Sequence, residues 1–136
     1  MIRFQTSTRR QSPPRPTLWR LVLVQWAVWW AATLICALFA RESAASVWWA
    51  GLIAIAAQAF WIWRSLRGFG DPGSADYLIG TTVGMIGKWV IVFVGLALLW
   101  RSHLNVSAVP ALLTVFALNT LAALTAPVLI SRRRRR

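Results

Sequence analysis

Residues 80–100 read GTTVGMIGKWVIVFVGLALLW, an apolar stretch interrupted by a single charge, Lys88. A membrane-spanning helix needs about 20 consecutive, mainly apolar residues, and this stretch has that length. Three further runs of the same kind occur along the chain, separated by short polar segments. The sequence therefore predicts an all-α integral membrane protein with four transmembrane helices, arranged as two hairpins.

The chain divides into a tail, four predicted spans and a second tail. The predicted spans are Leu18 to Ala40, Ala44 to Trp63, Tyr77 to Trp100 and Val106 to Ile130. Residues 1–17 form a basic, proline-rich cytoplasmic tail that we expect to be extended or disordered, because this composition cannot bury a core. Residues 64–76 form a glycine-rich loop between the two hairpins, and residues 131–136 form a basic tail.

The charge distribution predicts the orientation in the membrane. The chain carries fifteen Lys and Arg against three acids, a net charge of +12. In a soluble protein this excess would favour nucleic-acid binding, but here the basic residues cluster beside the predicted spans. The positive-inside rule then places both termini and the loop 64–76 in the cytoplasm. The residues that carry this signal after the first hairpin and at the C-terminal end are Arg64, Arg67, Arg132, Arg133, Arg134, Arg135 and Arg136.

These arginines have a second potential use. Basic side chains next to a membrane span attract anionic lipid headgroups. The sequence leaves open whether the tails contact membrane lipid or an acidic partner, and it predicts no nucleic-acid binding.

One stripe of the third predicted helix is nearly bare backbone. Gly80, Gly84 and Lys88 follow each other at intervals of four residues, Gly87 lies beside them, and Gly95 lies two turns further on. Small residues at this spacing let another helix approach closely. The sequence leaves two alternatives for that helix, a neighbour in the same chain or a partner subunit.

Lys88 is the charged residue that needs an explanation. A charge at the centre of a membrane helix costs roughly 2.5–3.5 kcal/mol on insertion scales. All three acids, Glu42, Asp71 and Asp76, lie in predicted loops and not at the depth of Lys88. Asn119 is the neutral partner that the sequence predicts within the chain, at a similar level in the fourth span.

Two glutamines lie nearer the membrane surface in this interpretation. Gln25 and Gln58 are expected at matching depths, and so to pair with each other. Three interpretations of Lys88 remain open. The side chain snorkels into a thinned bilayer, it lies deprotonated or amide-bonded within the bundle, or it pairs with a carboxylate of another membrane protein.

No arrangement typical of a catalytic or metal site occurs in the sequence. His103 is the only histidine and falls in a predicted external turn. Cys36 is the only cysteine and falls inside the first span, so one chain cannot build a disulfide or a zinc site from cysteines. We expect a protein without enzyme activity, cofactor or metal.

Four segments resemble the bacterial ATP synthase protein I family. They are LVLVQ at 21–25, FWIWRSLRGFGDPGSAD at 60–76, GMIGKWVIVFVGLALL at 84–99 and APVLI at 126–130. The most specific element is a glycine followed four residues later by a lysine, here Gly84 and Lys88. Relatives of this kind usually have a glutamate directly after that glycine, where this chain has Met85. The chain thus keeps the base and lacks the acid.

The resemblance implies a non-catalytic accessory protein of the F-type ATP synthase in the bacterial inner membrane. Such a protein would assist assembly of the rotor ring by transient contact with c subunits, which carry a carboxylate halfway through the membrane, and with other membrane-sector subunits. The glycine stripe, Lys88 and Asn119 would form the contact. The alternatives are transport of magnesium or another divalent cation, and a structural subunit that stays in the finished complex. Homo-oligomerisation is left open.

Overall fold

Four long helices make up the described part of the protein in a computed structural model. The structure describes residues 19–67, 75–102 and 105–131. The helices are α1 (Trp19–Phe39), α2 (Arg41–Arg67), α3 (Ala75–Arg101) and α4 (Ala108–Ser131). Each contains a segment long and apolar enough to cross a membrane. This confirms the predicted all-α class and the four candidate spans of a multi-pass membrane protein. The tails at 1–17 and 132–136, most of the loop 64–76, and His103 lie outside the described residues.

The connection between α1 and α2 is shorter than predicted. Ala40 is the one non-helical residue between the two helices, and the Ser43 N–H donates to its carbonyl at 2.9 Å. The predicted loop beginning at Arg41 is therefore wrong, because Arg41 is the first residue of α2. Glu42 lies in the first turn, where a negative charge complements the helix dipole, and alanines follow it.

Helix α2 is the central helix of the bundle. It packs against α1, α3 and α4, and α1 also packs against α4. Half of the apolar span of α2 is buried, whereas the spans of the other three helices are 22% buried. Helices α2 and α3 run antiparallel, with Ile53 facing Gly95 near one end and Arg64 facing Gly80 near the other.

A cluster of tryptophans joins α1 to α2. Trp29 is fully buried, and its indole N–H donates to the Val47 carbonyl at 3.2 Å. Its ring lies 4.5 Å from that of Trp48, and it also contacts Trp26 and Trp30 in its own helix. Aromatic pairs at such distances add about 0.5–1.5 kcal/mol beyond the area they bury. The cluster therefore fixes the position of α1 on α2.

The outer surface of the bundle is apolar. Large hydrophobic side chains are exposed on all four helices, among them Phe39, Trp49, Phe93 and Phe116. A contiguous surface of this kind is unfavourable in water and suits a hydrocarbon environment. The polar side chains of α4 meanwhile bond within their own helix. Thr114, Asn119, Thr120 and Thr125 each donate to the carbonyl four residues earlier.

Candidate functional site around Lys88

Lys88 lies halfway along α3 and donates a hydrogen bond to α2. Its Nζ is 2.8 Å from the Oε1 of Gln58. Gln58 is 2% exposed, and Lys88 is partly buried. At 1.5 Å per residue, Lys88 is roughly 20 Å from each end of its helix. The structure therefore pairs the lysine with a neutral amide at the centre of the bundle.

The predicted partner of Lys88, Asn119, is wrong. The Asn119 Nδ2 donates to the Val115 carbonyl of its own helix at 3.0 Å. Helix α2, not α4, covers this face of α3, and α2 extends four residues beyond its predicted end at Trp63. Gln58 consequently lies deeper in the bundle than the sequence suggested.

The predicted pairing of Gln25 with Gln58 is also wrong. Gln25 is 1% exposed and donates from Nε2 to the Leu118 carbonyl of α4 at 3.0 Å. Its Oε1 is buried and has no hydrogen-bond partner among the residues that the structure describes. The two glutamines thus tie α2 to α3 and α1 to α4 separately.

The charge of Lys88 has no acidic partner among the described side chains. Glu42 is the only acid whose side chain is described, and it lies in the first turn of α2, sixteen positions before Gln58. That separation corresponds to roughly 24 Å along the helix. The ammonium has three donor hydrogens, and Gln58 accepts one of them. Lys88 thus has a hydrogen bond to an amide within the bundle, while no described carboxylate lies near enough to balance a charge on its ammonium.

The glycine stripe packs against α2 of the same chain. A β-carbon on Gly80 would lie 3.5 Å from the Arg64 carbonyl, and one on Gly84 would lie 3.2 Å from the β-carbon of Arg64 and 3.4 Å from the Trp61 ring. An added methyl group would therefore make an ordinary van der Waals contact at Gly80 and a slightly tight one at Gly84. The backbones of α2 and α3 therefore approach closely over the first turns of α3.

The contact between the glycine stripe and α2 becomes tighter towards the C-terminal end of α3. A β-carbon on Gly87 would collide with the Phe60 ring, and one on Gly95 would lie 2.7 Å from Ile53. The structure thus selects the internal alternative for the stripe. Each of its four glycines faces α2, and Gly80 and Gly84 are buried there.

An open groove separates α3 from α4. It has a volume of about 590 Å³. One of its lining residues, Trp89, directly follows Lys88 in the sequence. The walls are formed by Trp89, Val92, Phe93 and Leu96 of α3 and by Leu112, Leu113, Val115, Phe116, Asn119, Thr120 and Ala123 of α4. The groove was not predicted from the sequence, because uniformly apolar helices do not show which pairs of helices pack closely and which remain separated. A second groove of about 610 Å³ is lined by α1, α4 and the first turns of α2.

The arginines of the topology signal are described only in part. Arg64 is partly buried in the last turns of α2, where its aliphatic stem packs on Gly84. The side chain of Arg67 and residues Arg132 to Arg136 lie outside what the structure describes. Their predicted contacts with lipid or an acidic partner stay predictions.

Within residues 19–67, 75–102 and 105–131, no three His, Cys, Asp or Glu side chains come together in a group that could hold a metal ion. Cys36 is a free, partly buried thiol in α1. Comparison of the chain with protein-family models, with curated proteins and with solved structures found no match.

Proposed function

We propose that this protein is a non-catalytic accessory protein of the bacterial F-type ATP synthase, and that it assists assembly of the rotor ring by contact with c subunits in the inner membrane. The observation that carries the proposal is the lysine halfway along α3 whose hydrogen-bond partner among the described residues is a neutral amide. The family resemblance supplies the identity of the acidic partner.

A charged Lys88 in the middle of an apolar helix is energetically unfavourable for this protein on its own. Its one hydrogen-bond partner among the described residues, Gln58, is neutral and cannot balance the charge. A carboxylate at the same depth would offset much of the cost, and c subunits are expected to carry one. A buried ion pair repays its desolvation only when its geometry is good, so such a contact can form and later be released. That property suits a protein that delivers subunits to a ring.

The proposed orientation places Lys88 at mid-membrane. We propose two hairpins with both termini and the loop 64–76 in the cytoplasm, on the basis of the arginine distribution. The centre of α3, Lys88, lies beside Gln58, four residues beyond the centre of α2 towards its C-terminal end, which the proposed orientation places on the cytoplasmic side. Divalent-cation transport gains no support from these contacts, because it needs several hard oxygen ligands where this bundle has a cation.

Co-purification of subunit c from native membranes tests the proposal. A tagged protein is extracted in mild detergent, and recovered subunit c is quantified for the wild type, Lys88→Met, Lys88→Arg and Gln58→Leu. We expect Lys88→Met to lower recovery about tenfold, the loss of roughly 1.4 kcal/mol of binding. Lys88→Arg and Gln58→Leu keep a positive charge at this position and should retain most of the recovery.

Two results would argue against the assembly role. Equal recovery of subunit c with Lys88→Met would remove the acidic contact on which the proposal rests. Recovery of the protein at fixed stoichiometry in the finished synthase would instead indicate a structural subunit, because an assembly factor leaves once the ring closes.

A further inference from the structure

The side of α3 that carries Lys88 faces two neighbours. At 100° per residue, Lys88 lies between the glycines that face α2 and the residues Trp89 and Val92 that line the groove between α3 and α4. Its long stem reaches Gln58 on the α2 side. Lys88 is not itself a lining residue, but it directly precedes Trp89 and lies one turn from Val92, at the α3 edge of the groove. Its ammonium has two donor hydrogens that Gln58 does not use.

The groove is polar at one end only. The Ser107 N–H donates to the Ser46 Oγ, which places the start of α4 beside the start of α2. Since α3 runs antiparallel to α2, α3 and α4 also run in opposite directions. The groove end near Lys88 therefore holds Asn119 and Thr120, whereas Leu96, Leu112 and Leu113 line the other end.

We propose that this groove is the docking site of one transmembrane helix that carries a carboxylate halfway through the membrane. The apolar end receives the apolar part of the helix, and the carboxylate lies at the polar end, within reach of the Lys88 ammonium. Phe93 and Phe116, 67% and 73% exposed, stand on opposite walls and contact the helix from both sides. The inference rests on the proposed function in one respect, because both require an acidic partner for Lys88.

Charge complementarity selects this occupant over the two others that an apolar groove admits. A second copy of the chain would bring another lysine, since the three acids of the sequence all lie outside the centres of the apolar spans. A lipid acyl chain fits the apolar end but carries no charge to mid-membrane. A helix with a mid-membrane Asp or Glu satisfies both ends of the groove.

Photocrosslinking tests the docking site. A benzophenone amino acid replaces Phe93 or Phe116 in the groove, or Val94 as the control, and adducts from native membranes are identified by mass spectrometry. Val94 is the next residue along α3, is 53% exposed and does not line the groove. We expect positions 93 and 116, but not 94, to give adducts with a carboxylate-bearing helix, and Lys88→Met to lower their yield about tenfold.

A matched pair of substitutions blocks the groove without touching Lys88. Ala123→Trp fills the groove near its polar end, whereas Ala97→Trp places the same side chain on an exposed part of α3 outside the groove. The first should reduce the adducts and the second should not. Adducts with lipid only, adducts with a second copy, or equal yields from positions 93 and 94 would each overturn the inference.

The outcome separates this inference from the proposed function. If positions 93 and 116 capture an acidic helix that is not subunit c, the docking site stands and the synthase role fails. If subunit c is recovered in a Lys88-dependent manner but crosslinks only outside the groove, the role stands and the docking site is wrong.

Discussion

The indole ring of Trp29 lies directly over Gly51, so that α1 and α2 meet where α2 has no side chain. A β-carbon at position 51 would collide with that ring. Trp29 cannot easily move away, because its N–H is bonded to Val47 and its ring is packed on Trp48. This contact makes the α1–α2 interface sensitive to one added methyl group.

Gly51→Ala should therefore destabilise the protein. Overpacking of a well-packed interior costs about 1–3 kcal/mol, more than the helix propensity that alanine contributes. The free energy of unfolding in bicelles, measured by steric trapping, checks this. Trp29→Phe is the matched second change, because a smaller ring leaves space for the methyl group. The two substitutions should be less destabilising together than the sum of their separate effects, and simple additivity would contradict the contact.

The glycines of α3 should differ in their tolerance of alanine. Gly80→Ala should leave stability unchanged or raise it by up to about 1 kcal/mol, because the added methyl group finds ordinary contact distance and alanine favours the helix. Gly95→Ala should lower it by about 1–3 kcal/mol, because Ile53 occupies the space. The same unfolding measurement compares the two variants. Equal effects at both positions would show that α2 does not cover the stripe as described.

Lys88 and Gln58 should be energetically coupled. Gln58→Leu leaves the ammonium without its acceptor, and Lys88→Met leaves a buried amide oxygen without its donor. Gln58→Leu is expected to cost about 1–3 kcal/mol. Lys88→Met should cost less, because it loses the same bond but also removes a charge from an apolar region. Replacing both residues removes both polar groups, so the double variant should be more stable than the sum of the single effects predicts. A double-mutant cycle on unfolding free energies gives the coupling, and a value near zero would rule out the hydrogen bond.

Gln25 should be replaceable by leucine at little cost. Its Nε2 donates to the Leu118 carbonyl, which lies inside a helix, while its Oε1 is buried and finds no partner in the described part of the chain. Leucine would lose the one bond and also remove the unsatisfied oxygen, so we expect a change within about 1 kcal/mol. Gln25→Glu, tested beside it, should be much more destabilising because it buries a charge. A large loss with leucine would contradict the unsatisfied state of Oε1.

The sequence predicted the helices well because their signal is local. Four long apolar runs are sufficient to identify four candidate spans, and the structure places a helix on each. The predicted boundary at Arg41 was wrong because two adjacent charged residues, Arg41 and Glu42, were interpreted as a loop. They are in fact the first residues of α2. Charge at a helix end and charge in a turn look alike in sequence.

The packing could not be predicted in the same way. Uniformly apolar helices do not specify their neighbours, so depth alone pointed to Asn119 and placed Gln58 too near the membrane surface, whereas α2 covers α3 and brings Gln58 to Lys88. The glycine stripe correctly indicated a close contact with another helix. The sequence did not show whether that helix belongs to the same chain or to a partner subunit. The groove between α3 and α4 gave no sequence signal, because it is defined by the absence of close packing.

The proposed role of Lys88 is to serve ring assembly through its charge. The most direct measurement is the fraction of subunit c found in assembled rings, determined by native electrophoresis of membranes from cells that lack this protein and are complemented with a variant. We predict that the wild type and Gln58→Leu restore the ring fraction, whereas Lys88→Met leaves c subunits unassembled although it is inserted at a normal level. Full restoration by Lys88→Met would contradict the account.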